Sequence, residues 1–137
     1  MSKSPVVYKS VHRIKFSDLD PYNHMRTAVY SAYFIDHRMD GLREHAGWDL
    51  KTLAKLSFMV WVRRMEIDFL QPAVGDQEVT ITSYVREFCG VDAYIECSMV
   101  DKAEKIVSRC LMIVACVDKG TSRAMEWPAE TMALFFE

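Results

Sequence analysis

The most constraining feature of the sequence is a helical segment from Thr27 to Ala46 whose first half is apolar on nearly every side. Apolar residues such as Val29 and Tyr33 recur at the three- to four-residue spacing of one helix face. A helix that is hydrophobic almost all round has to be wrapped by other structure. The second half carries several charges, and we expect it, including His37 and Arg38, to face solvent.

After the helix the sequence changes to strand-like runs rich in Val, Ile, Thr, Tyr and Phe, at 58–70, 78–88, 91–100 and 106–117. The stretch 78–82 alternates polar and apolar residues, which predicts one face toward water and one toward a core. The runs predict an antiparallel meander, with the continuously apolar 106–117 placed centrally. Outside them we expect a strand within 6–16 and short helices at 49–55 and 128–136.

One helix and one sheet define an α+β domain, and a sheet curled around the helix is the arrangement that buries it. The chain has 137 residues, the usual length of one domain, and half of them are apolar. Nothing in the composition marks a boundary. We therefore predict a single domain over 1–137.

Composition and charge exclude several classes of function. The formal net charge of −2 gives no broad basic surface for nucleic acid. No stretch approaches the roughly 20 apolar residues of a membrane span, and the start of the chain lacks the apolar core of a signal peptide. The four cysteines form no metal-ligand pattern and are expected to be reduced, buried or half-buried thiols. These features favour a cytoplasmic protein without a metal.

The residues best suited to chemistry lie between the first strand and the helix, in the segment 17–26. Asp18, Asp20, His24 and Arg26 fall within nine residues there. A carboxylate at such a junction can attack a carbonyl or activate water, and unpaired N–H groups at a helix start can stabilise an oxyanion. Asp and Asn are also favoured in turns and helix caps where nothing reacts. Spacing alone does not assign roles to the two aspartates.

The segment FSDLD at 16–20, with His24 and the AVY of 28–30, resembles the D-x-D-x-x-x-H motif and following helix of 4-hydroxybenzoyl-CoA thioesterase-like proteins. The stretches 63–76 and 114–128 are similar to later parts of that family. The likeness therefore covers almost the whole chain. It implies the hotdog fold, a curved antiparallel sheet around one long central helix, and hydrolysis of an acyl-CoA thioester.

The resemblance also implies roles for individual residues. The second Asp of the motif is the family's catalytic carboxylate, which is Asp20 here, and His24 matches the motif His that helps to orient the reacting groups. No metal or redox cofactor is implied. Family members form dimers whose sheets join edge to edge, with active sites at the interface, and some pair into tetramers. We therefore expect a homodimer or homotetramer with an acyl-CoA substrate.

Four further residues are candidates for substrate binding. Arg26 stands where many family members have Asn, and it could alter the acyl specificity or bring a positive charge to the entrance of the substrate site. Tyr30 lies in the matched helix segment. Arg63 could meet the phosphates of CoA, and Met59 could line an apolar acyl pocket with Trp48, Phe58 and Trp61.

Two rival functions remain beside the thioesterase. One is a hydratase or dehydratase of the same fold, whose Asp and His have a different spacing. The other is a non-catalytic module that binds acyl-CoA or acyl carrier protein, which intact Asp20 and His24 argue against. The sequence leaves open the acyl chain length, aromatic against aliphatic substrates, and CoA against carrier protein.

Overall fold

The protein consists of one five-stranded antiparallel sheet curved around a long helix, as seen in a computed structural model that describes residues 3–137. The strands are β1 (Tyr8–Arg13), β2 (Phe58–Phe69), β3 (Glu78–Cys89), β4 (Asp92–Val100) and β5 (Ile106–Asp118). The predicted α+β class is confirmed. Within the same range, no helix has the length and apolar character needed to cross a membrane.

The order of strands across the sheet is β1-β3-β4-β5-β2. The predicted meander therefore holds for β3, β4 and β5, but it is wrong for β2, which pairs with β5 at the far edge. Period-two alternation assigns a residue to a face of the sheet, but it does not say which strand lies beside it. Strand β5 lies inside the sheet, as its continuously apolar sequence predicted, and β1 and β2 form the edges.

The long helix is continuous from Thr27 to Ala46, as predicted, but it has three parts. It begins with a 3-10 turn (Thr27–Val29), continues as α1 (Tyr30–Gly41) and ends in a π-helical turn (Leu42–Ala46). Gly47 stops it at a φ of 70°, a left-handed conformation that glycine adopts without strain.

Two short helices complete the fold. Helix α2 (Leu50–Lys55) is capped by Asp49, whose carboxylate accepts a hydrogen bond from the Thr52 amide at 2.8 Å. Helix α3 (Ala129–Met132) is followed by a 3-10 turn (Ala133–Phe135). Both helices lie within the predicted ranges.

The core lies between α1 and the inner face of the sheet. Val79 and Ile81 are fully buried there, as the alternation in 78–82 predicted, and Phe34 of α1 has no exposed surface. Helix α1 approaches β1 closely: a Cβ atom at Gly41 would overlap the Tyr8 ring. This contact places the C-terminal end of α1 directly against the first residue of β1.

The expectation that the second half of the helix faces solvent is wrong for His37 and Arg38. Both are buried, and hydrogen bonds satisfy them: the two ring nitrogens of His37 lie 2.6 Å from Ser10 Oγ and Ser83 Oγ, and Arg38 donates to Ser83 Oγ at 3.0 Å. Ser10 Oγ also lies 2.6 Å from His12 Nε2. The serine hydroxyls of two strands offset the cost of burying these polar side chains. The helix sequence by itself does not reveal these partners.

Candidate active site

The loop between β1 and the helix is held in shape by its own backbone. The Asp20 amide donates to the His24 carbonyl at 2.8 Å, and the Asn23 amide donates to the Asp20 carbonyl at 3.2 Å. Leu19 and Met25 form an antiparallel bridge across the loop. Asn23 takes a φ of 62°, which Asn tolerates better than most residues. The turn predicted from 17–23 therefore forms.

The Asp20 carboxylate is fixed by the same loop. Its Oδ1 atom accepts hydrogen bonds from the amides of Tyr22 at 2.8 Å and His24 at 3.0 Å. Within residues 3–137, Oδ2 has no hydrogen-bond partner, and the side chain is half-buried. One oxygen therefore orients the group while the other is available to a reactant.

Asp18 has a different environment. Its Oδ2 atom accepts a hydrogen bond from the Tyr33 hydroxyl at 2.8 Å, and its carbonyl accepts one from the Arg26 amide at 2.8 Å. Burial, together with the bond to Asp18, raises the pKa of Tyr33 to about 12, so the phenol stays protonated as the donor. The structure separates the two aspartates: Asp18 is bonded to the helix, and Asp20 presents an unpartnered oxygen.

The other side of the loop is attached to the connection between β2 and β3. The Met25 amide donates to the Ala73 carbonyl at 2.7 Å, and His24 forms a bridge with Val74. The Tyr30 hydroxyl accepts a hydrogen bond from the Ala73 amide at 3.2 Å. Tyr30 is buried, so in this structure it holds the helix start against that connection.

The predicted site residues fall into two groups. Asp20, His24, Arg26 and Tyr30 lie together at the start of the helix, where Arg26 is exposed and its Nη2 donates to the Ser17 carbonyl at 3.3 Å. Met59 lies near the beginning of β2 and Arg63 at its middle, whereas the loop is near the end of the strand. Phe69, at the near end, packs its ring 5.0 Å from that of Tyr30. At about 3.3 Å per residue, Arg63 is roughly 20 Å and Met59 roughly 33 Å from Phe69 along the strand.

Arg63 is exposed and makes a bidentate salt bridge with Asp92, at 3.1 and 2.6 Å. Met59 is half-buried. Neither residue contacts the Asp20 loop. The arrangement within one chain therefore does not support the substrate-binding roles predicted for Met59 and Arg63.

An apolar cavity of about 180 Å³ lies between α1, the inner face of the sheet and the C-terminal segment. Of the residues within 3–137 that line it, all but Arg38 are apolar; they include Ile35, Met39, Val62, Ile95, Met112 and Trp127. The predicted pocket residue Trp48 is among them, whereas Phe58, Met59 and Trp61 are not. Sequence reasoning missed Phe88, Trp127 and Phe135 because they come from distant segments. Their aromatic character was the only available signal.

The chain belongs to the thioesterase-like superfamily, whose family model matches residues 14–135. It is similar to the long-chain acyl-CoA thioesterase FadM of Escherichia coli (strain K12), with 25% identity over 119 residues that cover 86% of this chain and 89% of FadM. The family suggested by the FSDLD motif is thereby confirmed.

Two solved structures show the same fold. YbaW from Escherichia coli, described as a probable thioesterase, has a TM-score of 0.84 at 20% identity and covers 95% of this chain and 99% of its own. A Staphylococcus aureus protein solved in complex with CoA has a TM-score of 0.85 at 16% identity, covering 98% and 84%. The predicted hotdog fold is confirmed.

Proposed function

We propose that the protein hydrolyses an acyl-CoA thioester to the free acid and CoA, with Asp20 as the catalytic carboxylate. The proposal rests on the environment of the Asp20 carboxylate. Two backbone amides donate hydrogen bonds to Oδ1, whereas Oδ2 has no hydrogen-bond partner within residues 3–137. That oxygen would either attack the thioester carbonyl or take a proton from an attacking water. Either role suits a chain of the thioesterase-like superfamily.

The oxyanion formed on the carbonyl would be stabilised at the start of the helix. Within the described chain, the amides of Thr27 and Ala28 donate to no backbone carbonyl, because the first hydrogen bonds of this turn come from the amides of Val29 and Tyr30. Unpaired helix-start amides favour negative charge. Exposed His24 would orient the reacting groups, and Arg26 would meet an anionic part of CoA.

The acyl chain would enter the apolar cavity, and this requires a second copy of the chain. The cavity borders Val62, whereas the Asp20 loop lies beyond Phe69 at the other end of β2. Val62 and Phe69 are seven positions apart, which corresponds to about 23 Å along the strand. An antiparallel pairing of two β2 edges would bring the Phe69 end of one strand toward the first half of the other, which contains Val62. Each cavity would then face the partner's Asp20 loop.

The surface of β2 supports such a pairing. It is an edge strand of twelve residues with exposed Trp61, Val62 and Phe69, and Leu70 follows it. Arg63, Arg64, Glu66 and Asp68 are exposed on the same strand, and Arg63 and Arg64 are already paired with carboxylates of their own chain. The unpaired backbone of a long edge strand with exposed apolar side chains is a site of association. We expect a homodimer, or a tetramer made from two dimers, by light scattering at micromolar concentration. A monomer under those conditions would contradict the shared site.

The function is tested by free-thiol release from a panel of short, medium, long-chain and aromatic acyl-CoAs, with acyl carrier protein thioesters in parallel. We expect turnover of at least one acyl-CoA class. Binding of acyl-CoA without thiol release would instead support the non-catalytic module. Turnover restricted to carrier protein thioesters would correct the substrate and retain the chemistry.

A further inference from the structure

The apolar cavity has an open side and a closed end. Two lining residues are substantially exposed, Ile35 of α1 (41%) and Val62 of β2 (45%), so the opening lies between the helix and the edge strand. Trp48, Trp127 and Phe135 also line the cavity but are only 5–6% exposed. A chain that enters beside β2 therefore runs toward a buried aromatic wall.

Five aromatic side chains form that wall, which we call the aromatic floor. They contact one another in a closed circuit, in which each ring packs against the next and the fifth packs against the first. The ring centroids are 6.2 Å apart for Trp48 and Phe58, 6.3 Å for Phe58 and Trp127, and 5.4 Å for Trp127 and Phe88. The circuit closes at 5.9 Å between Phe88 and Phe135 and at 6.1 Å between Phe135 and Trp48. Four of the five line the cavity, and Phe58 lies behind them.

The aromatic floor is stiff. Four of its five contacts are edge-to-face, a geometry that contributes about 0.5–1.5 kcal/mol per pair beyond the buried area. The Trp127 indole also donates a hydrogen bond to the Val91 carbonyl at 2.9 Å, which fixes its ring. A closely packed wall of this kind does not move aside for an additional methylene without a cost in strain.

We propose that the aromatic floor sets the upper limit on the length of the acyl chain, with Trp127 and Phe135 as the specificity-determining residues. This inference rests on the proposed hydrolysis of acyl-CoA. A thioester whose chain reaches the floor fills the cavity, and a longer one has to leave part of its chain outside or displace an aromatic ring. The length of the acyl group that is accepted should therefore have a sharp upper limit.

The experiment measures kcat/KM along a homologous series of saturated acyl-CoAs for the wild type, Trp127→Leu, Phe135→Leu and the control Phe58→Leu. The control removes an equally buried ring of the same circuit from behind the lining. In the wild type we expect kcat/KM to fall about tenfold within one or two methylenes beyond the optimum. Trp127→Leu and Phe135→Leu should move that fall to longer chains, whereas Phe58→Leu should leave it in place.

Three results would overturn the inference: a wild type without an upper length, lining variants with an unchanged length profile, or a Phe58→Leu profile that shifts as far as theirs. If a variant fails to fold, the wild-type profile still decides the first of these. Binding of S-alkyl-CoA thioethers of increasing length provides a readout without catalysis. A length limit in binding with no thiol release would retain the aromatic floor and refute the proposed hydrolysis.

Discussion

The Tyr33 hydroxyl donates a hydrogen bond to Asp18 Oδ2 at 2.8 Å, and this bond joins the central helix to the loop that carries Asp20. Tyr33 lies on α1 and is buried, and Asp18 is two residues before Asp20. The amide of Lys15 donates in turn to the Tyr33 hydroxyl at 3.3 Å. The position of the Asp20 carboxylate relative to the helix start therefore depends partly on this phenol.

Replacing Tyr33 with Phe should lower kcat about tenfold and change KM little, because a displaced carboxylate loses alignment with the thioester while the binding surface remains. Steady-state kinetics on the best acyl-CoA measures both constants. Tyr84→Phe is a matched control, since it removes a Tyr–carboxylate bond of 2.9 Å to Glu96 away from the loop. Equal losses in the two variants would show a general effect of weakened structure.

Gly75→Ala should impair activity more than stability. A Cβ atom at Gly75 would lie 2.6 Å from Asn23 Oδ1 and 2.8 Å from Leu19 Cδ1, so the loop around Asp20 would have to move. We expect kcat/KM to fall by about tenfold or more, with a midpoint of thermal unfolding within a few degrees of the wild type. Adding Asn23→Gly removes the closest obstruction and should recover part of the loss. No recovery would show that the loop is not what Gly75 accommodates.

The stability of the protein should depend on pH through His37. Burial, with smaller effects of the Arg38 and His12 charges, lowers the pKa of His37 from 6.5 to about 4. The unfolded chain then binds a proton that the folded chain excludes, so the contribution is complete above pH 6.5 and is lost as the pH falls toward 4. The free energy of unfolding should therefore fall by up to about 3 kcal/mol over that pH range because of His37.

Urea unfolding of the wild type and His37→Gln between pH 7 and pH 4 measures this contribution. The wild type should lose stability as the pH falls, and the variant should lose less, because carboxylates affect both proteins alike. Parallel curves would mean that His37 does not titrate in that range.

The sequence predicted the elements of this fold better than their arrangement. The long helix, its stop at Gly47 and the Asp49 cap follow from local chemistry, which acts within a few residues. The pairing of β2 with β5 does not follow from local chemistry, because the alternation of polar and apolar residues does not indicate which strand is adjacent. The burial of His37 and Arg38 was missed for a related reason: the hydroxyls that satisfy them come from Ser10 and Ser83, far away in the chain.

The candidate site shows the same division. The turn around Asp20 was predicted from Asp, Pro and Asn, and the resemblance selected Asp20 over Asp18. Only the structure shows how the two differ, since the Tyr33 bond to Asp18 joins residues fifteen positions apart. Of the aromatic floor, only Trp48 and Phe58 were candidates from the sequence. Phe88, Trp127 and Phe135 were missed, because these rings come together only when β2, β3 and the C-terminal segment pack.

The catalytic role of Asp20 is tested most directly by thiol release from the best acyl-CoA, measured for Asp20→Asn and for the wild type. The Asn side-chain oxygen can still accept the hydrogen bonds from the amides of Tyr22 and His24, so the loop keeps its shape while the negative charge is removed. We predict a fall in kcat of about a hundredfold or more with an unchanged thermal midpoint. Full activity of a folded Asp20→Asn protein would show that the catalytic carboxylate is not Asp20.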